Sequence, residues 1–257
     1  MTLISKYLRT LAICAISVGL LQLEARADRI VRVQKPGRAL LVISNLTARG
    51  AENFSSLYEY LDAESVRLAN SYLRNSYDKR WVLAGDRATF AEFTRQIEAI
   101  LKRDDIESLD VMVHLHGFVN GLAFVDGSKS AGTIEAAFTQ MRTRGADTKK
   151  LRILYSTACW GRTLLDNWKR IGFQQFNGAN KVNAGSAQEY EPFLKHWRDG
   201  DGFEYAVKYG DTSNSRATSD FMAEMMGFGD VDSKMFVDGI DYLGGKSLVI
   251  STRVDRN

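Results

Sequence analysis

The chain has 257 residues, 34 Lys and Arg against 31 Asp and Glu, 45% hydrophobic and 25% charged residues, and only two prolines. That composition describes an ordered globular chain. A formal charge of +3, with no basic run or aromatic-basic stripe, argues against nucleic acid as a partner.

The first 27 residues read as a secretory signal. Lys6 and Arg9 precede the apolar run from Leu11 to Leu23, and Ala25-Arg26-Ala27 supplies the small residues that a signal peptidase reads. The alternative, an uncleaved anchor, needs ~20 apolar residues to span a bilayer, and this run is shorter. Ile13 precedes Cys14 where a lipoprotein signal needs a small residue. The expected mature protein is a single domain over residues 28–257, periplasmic or secreted, without stable membrane insertion. Cleavage removes Lys6, Arg9 and Arg26 against Glu24, leaving a nearly neutral chain. It also leaves Cys159 as the one thiol, in an oxidising compartment and without a disulfide partner. Taken alone, such a cysteine can equally be a small buried hydrophobe.

After Pro36-Gly37, the run Ala39 to Leu46 is almost continuously apolar and predicts a central parallel strand. Residues 52–75 switch to helical spacing. Trp81 to Gly85 predicts a second strand, and Thr89 to Lys102 a helix with Phe90, Phe93, Ile97, Ile100 and Leu101 on one face. Leu109 to His116 is a third strand ending in histidine. Gly121 to Gly127 suggests a small hairpin, and Thr133 to Arg144 a helix stopped by Gly145. Leu151 to Ser156 opens a fourth strand leading into Ala158-Cys159-Trp160-Gly161, with a helix expected over Arg162 to Ile171. A fifth strand is expected within Gln174 to Ala187, then helix from Tyr190 to Tyr209, interrupted near Gly200. Residues 210–220 read as a polar loop or helix cap. Lys234 to Val237 and Lys246 to Thr252 are candidate closing strands. Alternating strands and helices predict an α/β fold: a doubly wound, mostly parallel sheet flanked by helices on both faces.

Catalytic groups in such sheets gather at the carboxyl ends of strands. His116 and Cys159 both fall there, and neighbouring strands lie ~4.8 Å apart, within reach of proton transfer. The expected helix at Arg162 would turn the positive end of its dipole toward the thiol and favour thiolate. The backbone N–H groups of Gly117 and Cys159 are natural donors to a tetrahedral oxyanion. Nucleophile, base and oxyanion donors are then all present.

These residues resemble a family. His116-Gly117 after one apolar strand and Ala158-Cys159-Trp160-Gly161 after the next resemble the dyad of the caspase-like cysteine peptidases, the group that also holds legumain, clostripain, gingipain and metacaspases. The caspase signature is Gln-Ala-Cys-x-Gly with its histidine ~50 residues upstream; here the separation is 43 residues. Gly121-Leu122-Ala123-Phe124 with Asp126-Gly127 is similar to the hairpin that follows the catalytic histidine in that family. The resemblance implies a caspase-like fold, peptidase chemistry without a cofactor, and a protein or peptide substrate. It also implies that Arg49 reaches a primary specificity pocket and that Ser186, within Asn183 to Ala187, belongs to another wall. Glu189 and Glu191 nearby would favour a basic side chain instead, so acidic and basic preferences both stay open. The sequence departs from the pattern at Thr157 and Trp160 and lacks a long cleavable linker, which implies an enzyme active as one chain.

His114 and His116 share one strand face. A zinc site there would have to recruit Asp126 or His196, so no metal is expected and His114 is read as structural. Gly-x-Ser-x-Gly and phosphate-loop motifs are absent. The four tryptophans are read as core or pocket walls. The rival functional reading is a caspase-like fold used as an idle binding or regulatory module of the cell envelope.

Overall fold

A computed structural model of the chain describes residues 29–50, 54–239 and 247–255; the signal-like segment and the side chain of Arg49 lie outside the described residues. The strands are β1 (Arg29–Arg32), β2 (Arg38–Asn45), β3 (Lys79–Ala84), β4 (Ser108–Phe118), β5 (Gly121–Phe124), β6 (Gly127–Ser130), β7 (Leu151–Ser156), β8 (Gln175–Ala179), β9 (Met235–Gly239) and β10 (Thr252–Asp255). The main sheet runs β3-β2-β4-β7-β8-β9. Its pairs are parallel except β8–β9 at the edge. The hairpin β5–β6 pairs antiparallel with the tip of β4.

Along β2 the side chains alternate between two apolar clusters, Leu41 and Ile43 in one, Leu40 and Val42 in the other. A strand covered on both faces must be apolar throughout, which is why this segment reads as an unbroken run. Helices α1 (Ser55–Leu73), α2 (Phe90–Leu101), α3 (Ala131–Thr143), α4 (Leu165–Ile171), α5 (Ser186–Asp199), α6 (Phe203–Gly210) and α7 (Ser213–Met225) complete the chain. Phe93 and Ile97 of α2, Phe138 of α3 and Trp168 of α4 fill the first cluster; Leu68 of α1, Phe193 and Trp197 of α5 and Phe203 of α6 fill the second. The expected doubly wound arrangement is present.

Several local expectations are refined or corrected. Cys159 is followed by a 3-10 turn, Gly161–Leu164, that runs directly into an α-helix beginning only at Leu165, so the regular α-helix starts three residues later than expected. The fifth strand is present within the expected range, at Gln175–Ala179, and Ser186 starts α5. The polar segment 210–220 enters a helix, α7, whose N-cap Thr212 accepts the Ser215 N–H at 3.4 Å; Ser, Asn and Thr along its first turns hide the helical period. At the C-terminus β10 pairs with β1 in a separate two-stranded sheet rather than closing the main one.

The register between β4 and β7 matters most for the site. Leu109 lies opposite Leu151, but Val111 lies opposite Leu154 and Val113 opposite Ser156. One extra residue in β7 shifts the offset from 42 to 43 residues, which is the spacing of His116 and Cys159. A bulge of this kind redirects the residues beyond it. It is built around Arg152, fully buried, which donates from Nε to Asp110 at 2.7 Å and from Nη2 at 2.5 Å. Tyr77 donates to the same carboxylate, and Arg152 Nη1 reaches the carbonyls of Ile250 and Thr252 at 2.5 and 3.1 Å.

Candidate active site

The segment after β7 is held from several sides. Thr157 N–H continues the sheet by donating to Val113 O at 3.1 Å, and Trp160 N–H donates to Lys181 O at 2.8 Å. Trp160 adopts the left-handed region, φ 58° and ψ 15°, a conformation that a bulky residue enters only under local constraint. The sharp turn beyond the thiol is thus made by Trp160.

Gly117 is required for a different reason. It lies within β4, and a Cβ placed there would meet the Cys159 carbonyl oxygen at 1.9 Å. The backbones of the histidine and cysteine segments therefore touch at this point. Cys159, half-buried, is the only free cysteine among the described residues. Its Sγ accepts the Asn183 N–H at 3.3 Å. Burial pushes the thiol up from its ordinary range, while the N–H groups of Asn183, Cys159 itself and Gly117 pull it back down.

His116 donates from Nε2 to the carbonyl of Leu46 at 2.7 Å. A carbonyl can only accept, so the neutral ring carries its proton on Nε2 and Nδ1 is the basic nitrogen. Burial lowers the proton affinity of His116, and the Leu46 carbonyl and Asp62 raise it. Tyr58, from the first turn of α1, packs edge-on against the ring with centroids 4.9 Å apart. Its phenol is held above the usual range by burial and by the neighbouring Cys159. Tyr58 looked like one more apolar position of α1 in the sequence, and nothing in its spacing marks it out.

His114 is buried, its Nδ1 lies 3.1 Å from Thr157 Oγ1, and desolvation pushes it down to about 3; the ring is neutral. It does not form a metal site with the candidates named for one. Asp126 accepts the Phe90 N–H at 2.8 Å and caps α2, and His196 pairs with Asp201 at 2.6 Å. Among the described residues no group of three or more potential ligands is placed to hold a metal ion.

A cavity of about 140 Å³ is lined by Leu46, Glu64, His114, Thr157, Ser186 and Glu191 among others; neither His116 nor Cys159 is in its lining, which reaches their segments through Leu46, His114 and Thr157. Ser186 stands in its wall. Arg49 belongs to a 3-10 turn after β2, Thr47–Arg49, and its side chain is not described. Glu189 does not line the cavity. It is buried behind Asn183, and desolvation together with Asp211 raises it to about 8.

No protein-family model matches the chain, and no curated protein matches it by sequence. Among solved structures, the Drosophila initiator caspase Dronc aligns over 86% of this chain and 85% of its own, at 12% identity and a TM-score of 0.50. The fold is caspase-like. A secreted C11 cysteine protease from Bacteroides thetaiotaomicron, solved with an irreversible peptide inhibitor, aligns over 79% of this chain at 10% identity and a TM-score of 0.46. This chain spans 66% of that protein's length. Among the described residues of the caspase-like domain, no helix is long and apolar enough to cross a membrane.

Proposed function

We propose that the protein is a cysteine endopeptidase, secreted or periplasmic, working through His116 and Cys159. Cys159 Sγ attacks the scissile carbonyl carbon while its proton passes to His116. His116 then protonates the departing amine, and the thioester is hydrolysed by a water that gives its proton back to the ring. The N–H groups of Gly117 and Cys159 hold the oxyanion. The observation that carries this reading is the backbone contact at Gly117, where a side chain would strike Cys159. An idle site has no physical need for so close an approach.

The cavity supports a basic side chain at the cleavage residue. Its lining contains the carboxylates of Glu64 and Glu191, a neutral His114, and no cation among the described residues. Glu64 is already bound by Arg67 at 2.6 Å, whereas Glu191 accepts from the neutral Tyr72 hydroxyl at 2.5 Å. No cation is hydrogen-bonded to Glu191 among the described residues, although Arg67 lies within electrostatic reach, so its carboxylate is the one offered to a substrate ammonium or guanidinium.

One observation favours the rival, an idle binding module: burial raises the thiol of Cys159 above its ordinary value. The rate of iodoacetamide alkylation against pH separates the two. In a peptidase the thiol reacts well below its unperturbed pKa of ~8.5, and both His116→Ala and Cys159→Ala abolish turnover without unfolding the protein. A thiol that reacts alike in wild type and His116→Ala, or turnover surviving in Cys159→Ala, rules the dyad out.

A further inference from the structure

Asp62 lies in the second turn of α1, sixteen residues from Leu46 in sequence, and belongs to no sequence motif. Its carboxylate gathers the loop after β2. Ser44 Oγ donates to it at 2.7 Å, the Leu46 N–H at 2.9 Å to each oxygen, Thr47 Oγ1 at 2.8 Å and the Thr47 N–H at 3.3 Å. Asn45 secures the same turn by accepting the Ala48 N–H at 2.8 Å.

The Thr47 N–H and the Leu46 carbonyl belong to one peptide group. On its nitrogen side that group donates to Asp62; on its oxygen side it accepts from His116 Nε2 at 2.7 Å. Hydrogen bonds in series polarise one another in a low-dielectric setting. A negative charge behind the amide deepens the partial charge on its oxygen, and this favours the imidazolium over the imidazole. Tyr58 of α1 packs edge-on against the His116 ring, and Cys159, from the loop after β7, neighbours Tyr58. Neither is a carboxylate.

From this geometry we infer that Asp62 is the positioning residue of the dyad, fixing His116 and stabilising its protonated form through the Leu46–Thr47 peptide. The inference rests on the peptidase reading for its use in catalysis, but the effect on His116 is independent of turnover. Proton transfer from Cys159 to His116 creates a cation on the ring, and Asp62 supplies the nearest countercharge that reaches it through a hydrogen-bonded path. The side chain never meets substrate.

The test is the titration of His116 followed by NMR of histidine-labelled mature protein in wild type, Asp62→Asn, Asp62→Glu and Thr47→Val. Alkylation profiles of Cys159 are recorded on the same samples. In Asp62→Asn the midpoint of His116 falls by about one pH unit, a tenfold change in proton affinity, and the thiol profile moves up in pH. Asp62→Glu restores most of both. Thr47→Val, which removes a tether and keeps the charge, leaves the His116 midpoint near wild type. Should Asp62→Asn fail to fold, Asp62→Ser, which still accepts the backbone donors without charge, is read in its place. A His116 midpoint unchanged in the neutral variants, or one shifted as far by Thr47→Val, overturns the inference and leaves Asp62 a tether of the loop. An inert thiol together with a shifted His116 midpoint refutes the peptidase reading while upholding the role of Asp62.

Discussion

Replacing Gly117 by alanine tests the site at the contact on which it is built. The new Cβ would lie 1.9 Å from the Cys159 carbonyl oxygen. Ordinary contact begins near 3.4 Å, so the two segments must separate by about 1.5 Å. Neither side yields easily: β4 is paired with β5 through Gly117 itself, and the cysteine segment is pinned through Thr157 and Trp160. Overpacking of this kind costs ~1–3 kcal/mol in stability. Catalysis suffers more, since a misplacement of about 1 Å between reacting groups costs on the order of 100-fold. The expected outcome is a folded protein with a slightly lowered melting temperature, turnover reduced about 100-fold or more, and Cys159 alkylation no longer accelerated at neutral pH. A Gly117→Ala protein that keeps the wild-type alkylation profile and turnover refutes the argument that this contact aligns the dyad.

Three other outcomes are expected. Peptide libraries cleaved by the wild type should favour Lys or Arg over Asp at the cleavage residue, and Glu191→Gln should weaken that preference mainly through KM; a preference for Asp would instead place Arg49 in the pocket. Arg152→Met leaves Asp110 buried without its cation, at a cost of about 3–5 kcal/mol, measurable by urea unfolding, and a slip of the β7 bulge would set Ala158 rather than Cys159 level with His116. The third concerns pH. Glu189 is raised to about 8, so the folded state holds a proton that the unfolded chain releases near ~4.3, and stability falls as pH rises between these values. His114 is lowered to about 3, so the unfolded chain takes up a proton below ~6.5 that the folded state refuses, and stability falls as pH drops through that range. The two opposing slopes put the maximum near pH 5–6, as an order-of-magnitude placement. Thermal melts of Glu189→Gln should lose the decline on the alkaline side; an unchanged decline would mean that Glu189 is not the titrating group.

The parts of this fold that were legible in the sequence are those set by burial on both faces. β2, β4 and β7 are predominantly apolar, so strand type and order could be reasoned from period and spacing alone, and the ends of β4 and β7 marked where to look for His116 and Cys159. The illegible parts depend on groups far apart in sequence. The bulge in β7 looks like ordinary strand in the run Leu151-Arg152-Ile153, and only the meeting of Arg152 with Asp110 and Tyr77 shows why an extra residue is held there. The helix α7 was hidden because its first turns are Ser, Asn and Thr, residues that compete for backbone hydrogen bonds and carry no apolar period.

The electrostatics of the thiol were only partly legible for the same reason. A helix dipole is a property of where a helix begins, and the chain after Cys159 makes a 3-10 turn that runs into its α-helix only at Leu165. Three backbone N–H groups act on the thiol, those of Asn183, Cys159 and Gly117, and two of them belong to segments 24 and 42 residues away. They only partly offset burial, so the backbone alone does not make a thiolate. On the peptidase reading the remaining stabilisation comes from an imidazolium on His116. That cation is itself disfavoured by desolvation and favoured by Leu46 and Asp62. On the peptidase reading the nucleophile and its base are poised only as a pair, and the loop between β2 and α1, a segment in which the sequence offers no motif, sets where the proton rests.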